Sequence, residues 1–293
     1  MKKFICILMV LVLAFSLFAC SKSDDSKKDN DKSISNVGGA EKPQSVTVNK
    51  NDVLPTIDET VLVDKDGLKI IAKELIKEKL YGNDEFAVKL EITNNTGSDL
   101  SVSSCNTYVN DFAIDTDMYT NISNGNTASP LLFLRKKEIE KSHIDTIAKI
   151  ETRFKVSTFS SKTDMTTIIT SSGENFDYSF DASGEVIYDN KNIKVVVKDT
   201  YKYNDTTYTE FYIENNSDEI VNVELNKVLV NGEDESVYLN ALPVYQGKRC
   251  LALLEYNNEE LTPDNINELS FQLKLVNNNL FKIDTVDNIK ITL

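Results

Sequence analysis

An internal repeat constrains this fold more than any other feature of the sequence. Thr60-Val61-Leu62-Val63-Asp64-Lys65-Asp66-Gly67-Leu68-Lys69-Ile70 is matched by Glu185-Val186-Ile187-Tyr188-Asp189-Asn190-Lys191-Asn192-Ile193-Lys194-Val195, with an offset of 125 residues from Val61 to Val186. Glu91-Ile92-Thr93-Asn94-Asn95-Thr96 then matches Tyr212-Ile213-Glu214-Asn215-Asn216-Ser217 at an offset of 121, so one loop is four residues shorter in the second copy. Val109-Asn110-Asp111 pairs with Val230-Asn231-Gly232, Leu131-Leu132-Phe133 with Ala252-Leu253-Leu254, and Ile144-Asp145-Thr146-Ile147 with Ile266-Asn267-Glu268-Leu269. Blocks kept in one order at nearly one spacing predict two copies of one domain, each somewhat over about 100 residues.

Each copy reads as β. Leu68, Ile70 and Ala72 alternate with polar neighbours, as do Ile193, Val195 and Val197. Phe86, Val88, Leu90 and Ile92 continue the period of two that marks a half-buried strand. Asn94-Asn95-Thr96-Gly97 and Asn215-Asn216-Ser217-Asp218 read as turns, because Asn and Gly tolerate positive φ and short polar side chains bond back to the backbone. A short helical turn is expected late in each copy, capped by Ser142 in the first and opened by Thr262-Pro263 in the second. Short strands, frequent turns and one such turn between late strands predict a β-sandwich.

This order of strand, Asn-Asn-Ser/Thr turn, strand ending in Val-Asn-Gly/Asp, apolar strand and capped turn resembles the uncharacterised immunoglobulin-like domains, often in tandem, of Gram-positive surface lipoproteins. The resemblance runs from about residue 55 to the end, and it implies an exported sandwich with no assigned activity. Asp111 departs from the pattern, standing where the second copy has Gly232, and a Ser/Thr-rich tail follows from Ser157 to Tyr178.

The N-terminus agrees. Lys2 and Lys3 precede an apolar run from Phe4 to Ser16, then Leu17-Phe18-Ala19-Cys20. The run falls short of the roughly 20 apolar residues that a spanning helix needs. Positive flank, apolar core and small residue before a cysteine resemble a lipoprotein signal with its lipobox. Cleavage before Cys20 and a lipid on its sulfur are expected, giving a chain held on the outer face of the cell membrane. Residues 21–33 carry four Lys, four Asp and no apolar side chain, so they read as a flexible spacer. The expected organisation is all-β: signal peptide 1–19, lipidated Cys20 and linker 20–52, and immunoglobulin-like sandwiches over 53–181 and 182–293.

Charge and composition exclude several functions. The net charge is −14, and −16 once Lys2 and Lys3 leave with the signal. Such a surface repels nucleic-acid phosphates, so no nucleic-acid partner is expected. His143 is the one histidine, which argues against a histidine zinc site or a Ser-His-Asp triad. Asp64-Lys65-Asp66-Gly67 has the acids and Gly of a calcium loop, but Lys191 occupies a ligand position in the copy, so a hairpin turn is the better reading. Cys105 and Cys250 have neither a CxxC partner nor a neighbouring His, and read as unpaired, inert thiols. No cofactor, metal or catalytic residue is expected.

One patch stands out. Tyr208 and Tyr212 point outward if Phe211 and Ile213 point inward, and they replace Ala87 and Glu91 of the first copy. They are expected to form an exposed surface for an envelope protein, peptide or glycan, or to brace a hairpin by cross-strand pairing. The functional expectation is a lipid-anchored binding protein without catalysis. The alternatives are an enzyme accessory or weak hydrolase using surface carboxylates, and a structural spacer.

Overall fold

The computed structural model describes residues 54–157, 162–173, 176, 179–203 and 205–293. Residues 1–53, which hold the signal, Cys20 and the linker, lie outside them, as do parts of the Ser/Thr-rich tail. The first repeat contains β1 Thr60–Lys65, β2 Leu68–Leu80, β3 Asn83–Asn94, β4 Leu100–Val109, β5 Phe112–Ile114, β6 Thr116–Asp117, β7 Tyr119–Ile122, β8 Thr127–Ala128, β9 Leu131–Leu134, α1 Lys136–Lys141, β10 Lys149–Val156 and β11 Thr166–Ile169. The second contains β12 Glu185–Asn190, β13 Ile193–Tyr203, β14 Thr206–Asn215, β15 Asn222–Val230, β16 Glu233–Asp234, β17 Val237–Asn240, β18 Lys248–Tyr256, β19 Glu268–Val276 and β20 Lys282–Thr292.

Both repeats share one topology. A first sheet is ordered β1-β2-β3-β9 in the first repeat and β12-β13-β14-β18 in the second. A second sheet runs β11-β10-β4-β5 and β20-β19-β15-β16. The alternating residues fill the space between them: Leu68, Ile70, Val88, Leu90 and Ile92 in one core, Ile193, Val195, Phe211 and Ile213 in the other. The protein is therefore all-β, with antiparallel sheets packed face to face in each repeat.

Even the irregularities repeat. β1 is bulged between Val61 and Val63, and β12 between Val186 and Tyr188. β2 is bulged between Ala72 and Glu74, and β13 between Val197 and Thr200. β4 bulges at Asn106 (φ 52°) and β15 at Lys227 (φ 53°). The Asp66-Gly67 and Lys191-Asn192 turns both have two positive φ values, the geometry that matches strand twist in a two-residue hairpin. Gly67 is further required because a Cβ there would lie 2.5 Å from the carbonyl oxygen of Asn95.

The repeated asparagines are buried clamps rather than simple turn residues. Asn94 donates from Nδ2 to the carbonyls of Ser98 and Ile122 and accepts at Oδ1 from Thr96 N–H and Oγ1. Asn215 repeats all four bonds with Glu219, Val244 and Ser217. Asn110 and Asn231 do the same further on, each donating to one carbonyl and accepting from two successive N–H groups at the start of β10 or β19. Each clamp ties a turn of one sheet to the chain that crosses from the other.

The short helix differs from expectation. α1 ends before Ser142, which is its C-cap, and its first N–H, on Lys136, is capped by the Glu85 carboxylate at 2.5 Å. Glu85 on the neighbouring strand therefore takes the capping role expected of Ser142. In the second repeat the turn does start at Thr262, whose carbonyl accepts from Asn265 and Ile266.

Replacing Asn215 by Ala deletes four hydrogen bonds at a fully buried site, and should lower unfolding free energy by about 2–3 kcal/mol. Asn216→Ala, at the exposed neighbour, should stay within about 0.5 kcal/mol. Urea unfolding of both variants checks the contrast.

Candidate functional site

The two repeats are joined through one sheet. The parallel pair of Phe112 on β5 with Arg249 on β18 links the second sheet of the first repeat to the first sheet of the second, making ten strands. Beside this link the outer face of β13, β14 and β18 carries Val196, Tyr212 and Leu251, and all three pack into the apolar core of the first repeat. Tyr212 lies 6.4 Å from the Phe112 ring and stacks on Phe180 at 5.0 Å, between centroids.

This corrects the expected tyrosine surface. Tyr208 and Tyr212 do point away from their own core, but they are only 8% and 2% exposed. Tyr212 is covered by the first repeat, and Tyr208 lies against Tyr201 at 6.1 Å. Neither is a free surface, because β14 is buried on both faces from Thr207 to Ile213.

Polar groups set the alignment of the junction. Tyr108 donates its hydroxyl hydrogen to the carbonyl of Pro243 and accepts from Tyr245 N–H. The Tyr245 ring meets Tyr108 edge-on and lies 4.8 Å below the Arg153 guanidinium. Lys248, on β18, bonds Asp111 at 2.6 Å and also Glu151, while Lys149 bonds Asp111 at 2.8 Å and Glu151 at 3.0 Å. Burial works to raise the Asp111 carboxyl, but the two lysines outweigh it and hold it below the ordinary carboxylate value. Asp111 also accepts Arg249 N–H at its carbonyl, with its own φ at 71°. The one residue that broke the repeat pattern is thus the residue that carries the junction.

Beside the junction is a recess of about 610 Å³, lined by His143 and Asp145 after α1, Phe180 and Asp181 between the repeats, and Lys198 and Asp199 in the β13 bulge. Lys198 donates to the carbonyls of Asp181 and Ser183, and its ammonium sits 4.9 Å from the Phe180 centroid. Ser183 N–H bonds the Asp181 carboxylate and holds it ionised below its usual range. Opposite the bulge on β14, Glu210 is 6% exposed, and burial pushes its carboxyl up to about 7, with Lys198, Asp199 and Lys141 modulating the shift. A hydrolytic acid must reach its substrate, whereas Glu210 is covered. Sequence reading missed Glu210 and Lys198 because they are ordinary surface residues in an isolated sandwich.

The other candidates are placed as follows. Asp64, Lys65, Asp66 and Gly67 make the β1–β2 hairpin turn. Among the described residues no group of three His, Cys, Asp or Glu is gathered as a metal site. Cys250 is buried in the second core and Cys105 is half-buried on β4; both are free, and burial raises both thiols. Cys20 lies outside the described residues.

The buried outer face can be tested by stability. Tyr212→Ala should cost about 3–5 kcal/mol, the range for emptying a buried aromatic site, whereas Tyr203→Ala, 48% exposed, should stay within about 0.5 kcal/mol. Glu210 makes stability depend on pH. Its folded value, about 7, exceeds the ordinary 4.5, so the folded state holds the extra proton between them. Its contribution is complete below pH 4.5 and is lost as pH rises through 7, by about 3 kcal/mol in all. Glu210→Gln should flatten urea midpoints between about pH 5 and 8 and exceed wild-type stability at about pH 8.

No protein-family model and no curated protein matches this chain. Among solved structures it is similar to a YadV chaperone at 10% identity and a TM-score of 0.24, over 71% of this chain and 92% of that one. A protein of unknown function from Porphyromonas gingivalis W83 is similar at 12% identity and a TM-score of 0.20, over 78% of this chain and all of the other.

Proposed function

We propose that this chain is a lipid-anchored interaction protein on the outer face of a bacterial cell membrane, acting without catalysis and holding its two sandwiches as one body. The observation that supports this reading is the junction. Val196, Tyr212 and Leu251 bury the outer face of one sandwich against the other, and Asp111, Glu151, Lys149 and Lys248 lock the alignment. A pair fixed in this way presents a recess that neither sandwich has alone, with three carboxylates, an aromatic wall and one lysine already engaged by carbonyls. The partner is an envelope protein, peptide or glycan that fills it. The Leu17-Phe18-Ala19-Cys20 pattern supplies the address.

Growth with a fatty-acid probe tests the anchor. Wild-type protein should carry label and fractionate with membranes, while Cys20→Ser should be unlabelled and either unprocessed or released. Label that persists on Cys20→Ser overturns the anchor. A photoreactive residue placed at Asp199, in the recess, should yield a discrete adduct in cells, and one placed at Lys290, on the edge strand β20 outside the recess, should not. Adducts at neither position, or equally at both, remove the recess from the proposal.

A further inference from the structure

The hairpin between β19 and β20 ends in Leu280 and Phe281, which are 73% and 69% exposed. They are held out by a built turn. Asn277 donates its N–H to the Phe281 carbonyl, accepts at Oδ1 from the N–H groups of Asn279 and Phe281, and accepts at its carbonyl from Leu280 N–H. Leu280 has φ 62°, a left-handed conformation that favours Gly, Asn or Asp and is rare for a bulky side chain. Three asparagines precede it, yet the left-handed position is given to leucine. Apolar surface is thus presented at a site where local energetics favour a polar residue, and such outliers concentrate at functional positions.

Charge separates this tip from the rest of the surface. The sequence has 46 acidic residues, but from Leu269 to Ile283 there is no carboxylate and there are two lysines, Lys274 and Lys282. Of the nearby acids, Glu224 pairs with Lys274 and Asp284 with Lys191, while Glu219 keeps its charge and accepts from Asn277 Nδ2 at the base of the turn. Lys282, next to Phe281, is exposed. An apolar pair beside an exposed ammonium suits the headgroup–acyl boundary of a bilayer, which the strongly acidic remainder of the surface avoids.

We propose that Leu280 and Phe281 form a lipid-contacting finger that dips into the membrane to which Cys20 tethers the chain. The proposal rests on the anchoring reading for its membrane. The 34 residues from Cys20 to Val53 span up to about 110 Å when extended, enough for the body to lie with this tip against the bilayer. Two side chains are too few to recruit a protein from solution, but a tether supplies a high local concentration at which weak contact suffices.

The chain has no tryptophan, so Phe281→Trp introduces a sole fluorophore of that kind at the tip, and Leu280→Trp provides a second reporter should the first misfold. Mature lipidated protein carrying either reporter is reconstituted in phosphatidylcholine vesicles. Blue-shifted emission, quenched by lipids brominated along the acyl chain, is the expected result, and Leu280→Asp in the Phe281→Trp background should reduce quenching about tenfold. Emission that stays water-like in both reporters overturns the finger. A blue shift that grows with protein concentration without vesicles assigns the tip to a second copy and also overturns it. The Cys20→Ser reporter titrated with excess vesicles separates the two readings: a blue shift there upholds the finger even where mass analysis finds no lipid on Cys20. No shift there, with quenching in the lipidated protein, upholds a finger that depends on the tether.

Discussion

The sheet formed by β13, β14 and β18 is covered on both faces, and the relation between the repeats depends on this. One face packs Phe211, Ile213 and Ala252 into its own sandwich; the other packs Val196, Tyr212 and Leu251 into the neighbour. An antiparallel sheet can leave one face in water. Here the second face is apolar, and burying each large side chain contributes about 1.5–3 kcal/mol. The single parallel pair between Phe112 and Arg249 would be a poor link without that burial. Apolar contact is non-directional, so it cannot fix which way the sandwiches meet. The four-charge cluster and the Tyr108 hydroxyl, with their defined bond directions, do so.

The polar cluster is best regarded as a device for alignment. Taking Lys248 and Glu151 out of water carries a desolvation cost that their attraction only partly offsets. Removing one member would leave a half-buried charge short of partners, which makes misaligned arrangements costly. The same logic applies to Asp111, which occupies a left-handed position that glycine fills in the other repeat. The strain is retained where a carboxylate is needed to receive both lysines.

Most of the fold was legible because repetition and alternation are local signals. Asn94 and Asn215, Asn110 and Asn231 were visible as matched turn residues; their role as clamps needed the crossing chains they bond. Orientation was legible too, since Tyr208 and Tyr212 do face away from Phe211 and Ile213. What covers Tyr212 was not, because a neighbouring sandwich leaves no trace in the period of one strand. A clue existed in Cys250-Leu251-Ala252-Leu253-Leu254, a continuous apolar run of the kind a strand covered on both faces shows. The misplaced helix start has a similar cause: its cap, Glu85, is distant in sequence.

Equivalent surfaces of the two repeats differ in charge, and the junction is made once. Where the first repeat offers Asp111-Phe112 to β18, the second offers Gly232-Glu233, and its short edge strand Glu233–Asp234 is exposed. Charge on a short edge discourages further strand addition. On the other side, the first repeat places Glu91 where the second has Tyr212, and the outer face of β2 and β3 carries Lys73, paired with Glu59, and the exposed pair Lys89–Glu74. A third sandwich docking in the same way would meet ion pairs in water at one end and a charged edge at the other. The two repeats share one fold; Asp111, Phe112 and Tyr212 make one surface of each complementary, where their counterparts are Gly232, Glu233 and Glu91. Divergence between the copies, more than the repeat they share, therefore marks the residues that bind them together.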